Sequence, residues 1–394
     1  MIHQRVLAIL SVSLAFSACA GTGTGAPGSV DPAHLEASRR NPFLDVNFFL
    51  NPEYVASVEA TAKAFPAEAD AIRKVEQYPT GLWLDSIAHV ANLPLWLGEA
   101  RKQQQASGKP TLSLVIVYDM PNRDCAANSS AGELKVEENG VARYRTEFID
   151  VIVKHFKDFS DLPIVVILEP DSLGNLVTNM NLPRCADSRS AYIESTVYAI
   201  QKLQLPNVSI YLDAAHAGWL GWDHHREALI RVYKKVLKQA GGYDMIRGFA
   251  TNVSNYTHLY NRDGMAMESS DPCYNEMVYV KKLAVGLSDY GVRNKGFIID
   301  TARNGKGGIR KVWGHWCNIK GAGLGERPRA APAPFIDAYF WIKPPGESDG
   351  ISDPTQPRFD AECASDESAP GAPQAGVWFQ SYFVDLVRNA VPPL

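Results

Sequence analysis

Seven short apolar runs punctuate the chain: GLWLD (81–85), LSLVIVYD (112–119), PIVVILEPD (163–171), VSIYLDAAH (208–216), GFATNVS (248–254), GFIIDTAR (296–303) and FIDAYFWIKP (335–344). They are rich in β-branched and aromatic residues and mostly continuous rather than alternating. That pattern predicts strands covered on both faces. Between them, RTEFIDVIVKHFKDF (145–159), SAYIESTVYAIQKLQL (190–205) and REALIRVYKKVLKQA (226–240) repeat apolar residues at i, i+3 and i+4, which predicts amphipathic helices. NEMVYVKKLAVGLSDYG (275–291) reads the same way and ends on a glycine stop. Strands alternating with helices imply parallel strands joined by right-handed crossovers. Seven units predict an α/β barrel, closed or nearly so; a doubly wound open sheet is the alternative. No G-x-G-x-x-G follows the first strand, which argues against a dinucleotide domain.

The runs share an ending. Trp83 and Asp85 close the first; Tyr118 and Asp119, then Asp124, the second; Glu169 and Asp171 the third; Asp213 and His216 the fourth. Asn252 and Asn255, Asp300 and Arg303, and Lys343 followed by Glu347 and Asp349 close the rest. An acid after a strand is often only a helix N-cap or half of an ion pair. Repeated on every strand, the pattern instead predicts a carboxylate-rich cleft at the C-terminal rim, where such barrels carry their chemistry. Trp83, Trp219, Trp222 and Trp316 fall in loops at the same ends, and HAGWLGW sets two tryptophans among small residues, a poor arrangement for a core. A flat apolar ring beside polar groups suits a sugar: its C–H face stacks and its hydroxyls hydrogen-bond. Trp96, Trp313, Trp341 and Trp378 read as structural. Paired carboxylates beside such platforms suggest glycoside hydrolysis, with Asp124 and Asp171 as a candidate pair in which a like charge keeps one acid protonated.

The formal net charge of −4 gives no basic face for a nucleic acid. With no C-x-x-C and no histidine cluster at ligand spacing, neither a metal nor another cofactor is expected. At the N-terminus, Arg5 precedes VLAILSVSLAF and SACAG, a secretory signal with cleavage after Ala20, so the protein is expected to be secreted. Phe16 suits a lipidation signal at Cys19 less well, so no membrane partner is expected. Residues 1–20 are read as the signal, 21–40 as a flexible leader and 41–394 as a single catalytic domain. Without Cys19, five cysteines remain: Cys125, Cys185, Cys273, Cys317 and Cys363, enough for two disulfides and one free thiol.

VYDMPNRDCAA, ILEPDSLGNLVTN, YLDAAHAGWLGW, ATNVSNY, WGHWCN, WIKPPGESDG and PRFDAEC, in that order, resemble glycoside hydrolase family 6, most closely its fungal cellobiohydrolases. The likeness runs from Asn41 to Leu394. It implies a distorted seven-stranded parallel β/α barrel and inverting cleavage of β-1,4-glucosidic bonds. It assigns Asp171 as the acid, Asp124 as the neighbour that raises its pKa, and Asp349 as the proposed base. Ser130 would hold water, Tyr118 would lie under the distorted sugar, and Arg303 would sit near the acids. Trp83, Trp316, Lys343 and Glu347, with Asp85 less securely, match the non-reducing-side subsites; His216, Trp219, Trp222 and Asn255 match the leaving side. The resemblance also implies Cys125–Cys185 and Cys317–Cys363 bridges, leaving Cys273 free. Cellulose chains and cello-oligosaccharides are the implied partners of a monomer. The segment from Lys343 to Gly376 matches a full-length roof loop, favouring cellobiose release from non-reducing ends over an endoglucanase. No cellulose-binding module is read in the chain. A β-glucan-binding protein without turnover is the alternative of another class.

Overall fold

A computed structural model describes residues 40–260, 271–312 and 314–394. The signal, the leader up to residue 39, residues 261–270 and Trp313 lie outside the described residues. Strands β1 (Asn47–Phe48), β2 (Leu82–Leu84), β3 (Thr111–Val117), β4 (Ile164–Leu168), β5 (Val208–Asp213), β6 (Gly248–Thr251), β7 (Gly296–Asp300), β8 (Arg329–Ala333) and β9 (Ile336–Phe340) form one sheet. The seven anticipated runs supply β2 to β7 and β9, all pairing in parallel. Every residue of β3, β4, β5, β6, β7 and β9 is buried, as two-sided coverage requires.

Two strands carry no apolar run and were not anticipated. The two-residue β1 extends the edge of β3 below β2, and the partly exposed, proline-containing β8 pairs antiparallel to β9. The parallel strands curl into a distorted half-barrel. Among the described residues, the ends of β2 and β9 meet through one isolated bridge, Thr80 to Trp341, with the Gly81 N–H donating to the Trp341 carbonyl at 3.0 Å. A Cβ on Gly81 would lie 2.3 Å from the Ile342 carbonyl oxygen, so only glycine permits this approach.

Leu114, Ile116, Val165, Ile167, Tyr211, Ala250, Ile298 and Phe340 fill the interior. Outside lie helices α1 (Pro52–Ala64), α2 (Leu93–Ser107), α3 (Asp150–Asp158), α4 (Ser172–Thr178), α5 (Pro183–Lys202), α6 (Asp223–Ala240), α7 (Glu276–Asp289) and α8 (Gln380–Arg388). The predicted helix over 145–159 divides: Tyr144–Ile149 is a π-helical turn and α3 follows. Asn275 caps α7 through its side chain, and Gly291 beyond it adopts φ +88°.

Register sets the rim. Val117 is level with Leu168, Leu168 with Leu212, Asp213 with Ala250, and Asp300 with Phe340. The strand-end side chains therefore emerge together. Two long loops, residues 119–135 and 343–376, stand over this rim. Cys125–Cys185 ties the first to the start of α5, and Cys317–Cys363 ties the second to the loop after β7. Cys273 is free and buried.

Candidate active site

A cavity of about 330 Å³ opens at the rim. Every site residue anticipated from the sequence lines it except Arg303 and Trp222. The two loops meet over it: the Asn128 N–H donates to Asp360 Oδ2 at 2.8 Å, and Gly350 packs on Ser129 and Cys363 so closely that a Cβ would lie 2.6 Å from each.

Pro170 carries the chain off β4, and Asp171 follows at φ +66°, immediately before α4. Its position is that of an N-cap, yet its carboxyl makes no capping hydrogen bond. Instead its own N–H donates to Asp213 Oδ2 at 3.0 Å. Burial, then the like charges of Asp213 and Asp124, push the Asp171 carboxyl well above its usual range. Asp124, also left-handed at φ +55°, accepts a hydrogen bond from Ser130 Oγ. Burial raises this acid too, against the Ser130 hydrogen bond and the Arg123 and Arg184 charges, which favour its ionised form. Both carboxyls are thus pushed toward the protonated form, and their like charges oppose ionising the two together.

Several neighbouring acids are occupied by the backbone. Burial pushes Glu169 up to about 7; it accepts from Tyr144 Oη at 2.8 Å and from the Asp119 and Met120 N–H groups. The π-helical turn is what presents Tyr144 here. Asp213, raised by burial to about 7, accepts from the Asp171 and Ala215 N–H groups. These acids build the rim; they do not face a substrate.

Asp349 lies on the opposite loop. Arg303 Nη1 donates to both its oxygens at 2.8 Å, and Oδ2 also accepts from Tyr256 Oη at 2.7 Å and the Asn318 N–H at 2.8 Å. Arg303 therefore stands behind Asp349 rather than in the cavity wall.

On one side, Trp83 Nε1 donates to the Ile342 carbonyl at 2.9 Å, and Lys343 Nζ lies 5.5 Å from the Trp83 ring centre and 3.5 Å from Glu347 Oε2. Tyr118 meets Trp83 edge-on at 5.4 Å. Asp85 pairs with His89, and Trp316 is half-buried in the loop after β7. On the other side, Trp219 Nε1 donates to Thr178 Oγ1 at 2.8 Å, and the half-buried ring lines the cavity. A Cβ at Gly174 would come 3.0 Å from that ring, so glycine on α4 makes room for it. His216 Nε2 pairs with the Asn255 amide at 3.0 Å; burial, then Arg310, push its imidazole down to about 3, so it is neutral. Trp222 lies outside the cavity: it sits at the N-cap position just before α6 and meets His225 edge-on at 5.6 Å. Trp96, Trp341 and Trp378 are packed into the fold, as expected.

Sequence reasoning missed Asn175, Asn179, Arg123, Arg310, His315 and Arg358 in the lining. Asn175 and Asn179 follow Asp171 at successive i, i+4 steps, a signal that was present in the sequence. Arg123 beside Asp124 reads as an ordinary ion pair. Among the described residues, no three His, Cys, Asp or Glu side chains converge as a metal ion requires.

Comparison with known proteins places the chain in a family. A 1,4-beta-D-glucan cellobiohydrolase of Pyricularia oryzae is 42% identical over 382 residues, covering 95% of this chain and 77% of that protein. A putative endoglucanase type B of Fusarium oxysporum is 42% identical over 360 residues, covering 90% of this chain and 78% of that protein. The structure of cellobiohydrolase II from Humicola insolens, in complex with glucose and cellotetraose, aligns with a TM-score of 0.86 at 40% identity, covering 90% of this chain and all of that one. The model of the glycosyl hydrolases family 6 matches residues 43–390, nearly the whole described body, and the chain belongs to that family.

Proposed function

We propose that this enzyme is secreted and hydrolyses the β-1,4-glucosidic bonds of cellulose and cello-oligosaccharides with inversion, releasing cellobiose from non-reducing ends. The observation that carries the reading is the Asp171–Asp124 pair beneath a roofed cleft: two buried carboxyls whose like charges oppose ionising both, with Asp171 free of capping duty and Asp124 held by Ser130. Asp171 protonates the leaving oxygen. Tyr118 supports the sugar at the cleaved bond, and Ser130 with Asp124 orders the attacking water. Asp349 acts as base through Oδ1. Because Arg303, Tyr256 and Asn318 already occupy much of its acceptor capacity, proton transfer through a relaying water is favoured over direct abstraction. Trp83 and Trp316 stack sugars on the non-reducing side and Trp219 on the leaving side.

The test is a proton NMR time course of cellohexaose hydrolysis, read before mutarotation. Early α-anomer with cellobiose dominant is expected. Early β-anomer overturns inversion, and shifted ligand signals without hydrolysis mean a binding protein. The endoglucanase name of the Fusarium oxysporum relative keeps a second reading, mid-chain cleavage, in play. It predicts a spread of product lengths and a rapid fall in the viscosity of a soluble cellulose derivative.

A further inference from the structure

The structure assigns Arg123 as a positioning residue for this reaction: one buried guanidinium ties the ends of β2 and β3 to the first roof loop and thereby holds Tyr118, Ser130 and Asp124 in working geometry. This rests on the function proposed above.

Arg123 is 4% exposed. Nε donates to the Ser130 carbonyl at 2.7 Å; Nη1 donates to the Asp85 carbonyl at 2.5 Å and to the Tyr118 carbonyl. The guanidinium also lies over the Tyr118 ring, 4.4 Å from its centre. Thus the residues just beyond β2 and β3, the tyrosine ring and the backbone of Ser130 share one rigid fork. The Ser130 hydroxyl in turn donates to Asp124. A planar, permanently charged fork makes these contacts together; an ammonium on a flexible stem does not.

The surroundings are shaped for it. A Cβ on Gly132 would lie 3.0 Å from Arg123 Cβ and 3.3 Å from Nε, so the loop crosses the arginine at a residue without a side chain. Buried Asp119 is the nearest acid, its Oδ1 3.6 Å from Nη1, beyond hydrogen-bond range. Both its oxygens are buried without a hydrogen-bond partner among the described residues, and burial pushes its carboxyl up to about 9. The guanidinium charge acts on Asp119 and also on Asp124, one residue away. Asp124 is faced by Arg123, by Arg184 from α5, by Asp360 from the second roof loop, by Asp171 beyond β4, and by the phenols of Tyr118 and Tyr192.

Two variants separate the tie from the charge. Arg123→Lys keeps the cation and loses the fork. It is expected to lower kcat on cellotetraose about tenfold to a hundredfold, the scale of a misplaced reacting group, while affinity for the sugar, read by tryptophan fluorescence, changes little. Arg123→Gln loses both. Without the cation, the ionised form of Asp124 is less favoured, so the acidic limb of its kcat/KM profile should move up by about one pH unit. In Arg123→Lys that limb should stay in place. A structural role alone would lower the yield of folded protein without separating these readouts. Wild-type kcat in Arg123→Lys, or an unmoved acidic limb in Arg123→Gln, overturns the assignment. If Arg123→Gln does not fold, Arg123→Lys still decides the tie. A wild-type enzyme that binds cellotetraose without cutting it defeats the proposed function itself, before any variant is compared.

Discussion

Strands β4 and β7 both run out of the barrel into an acid, and the two acids have opposite fates. Asp300 is the last residue of β7, in register with Phe340. Its carboxyl is ringed by four backbone N–H donors, from Ser254, Ala302, Ile342 and Lys343. Asp171 lies three residues past the end of β4, beyond a proline, at positive φ and at the head of a helix whose N–H groups it does not cap. One carboxyl fastens three segments together; the other has its acceptor capacity left for chemistry. Strand-end acids are therefore separated into anchors and reagents by where backbone N–H groups point, not by residue type. Glu169 and Asp213 belong with Asp300.

The largest effect should come from Asp171→Asn. An amide cannot protonate the leaving oxygen, so kcat on cello-oligosaccharides should fall on the order of a thousandfold. Binding of cellotetraose by calorimetry should change little. Asp300→Asn should do the reverse. The amide places an N–H₂ among N–H donors, and two backbone donors lose their acceptor, a cost of about 2–4 kcal/mol in urea unfolding. Its kcat per folded molecule should drop far less than that of Asp171→Asn. If Asp300→Asn is as stable as wild type yet nearly inactive, the division between anchor and reagent fails.

How far the sequence carries follows from the same distinction. The parallel strands were legible because each is an unbroken apolar run, and their common endings marked one rim. Strands β1 and β8 were not, because Asn47–Phe48 is too short for a pattern and RAAPA is half exposed. The π-helical turn at Tyr144–Ile149 left the apolar spacing of 145–159 intact and so gave no sign of itself. Asp171 and Asp300 read alike, since hydrogen bonds from Ser254 or Lys343 are tertiary. Arg123 was hidden because its guanidinium turns toward carbonyls from three separate segments. Trp219 and Trp222, three residues apart, looked equivalent until α6 took Trp222 away from the cavity.

The anchors also set a pH dependence. Burial raises Asp300 to about 6, and Asp213 and Glu169 to about 7. In the unfolded chain they titrate near ~4. The folded state holds these protons more tightly, so their stabilisation is complete below about pH 4 and is lost as pH rises toward 7. Urea midpoints should fall across that window. Asp300→Asn should flatten the decline between about pH 4 and 6 by up to about 1.4 kcal/mol per pH unit. A midpoint that rises steadily from pH 4 to 7 would mean that these acids are ionised in the folded protein without cost.

The smallest effect is expected where an anchor faces solvent. Asp360 accepts from the Asn128 N–H at 2.8 Å and the Glu362 N–H at 3.1 Å, joining the two roof loops, but it is only half-buried. Asp360→Asn keeps one acceptor, and water replaces the other, so stability should change by less than about 1 kcal/mol. Its charge also acts on Asp124, whose carboxyl it raises. Removing it should move the acidic limb of kcat/KM down by a few tenths of a pH unit, opposite in sign to Arg123→Gln. Loosening the latch should also let more chains enter away from their ends. That would appear as a faster viscosity drop per reducing end released from carboxymethyl cellulose. An upward shift of the acidic limb would show that Asp360 does not act on Asp124 through its charge. An unchanged viscosity ratio would show that the roof is held by the Gly350–Ser129 packing and the Cys317–Cys363 bridge without this carboxylate.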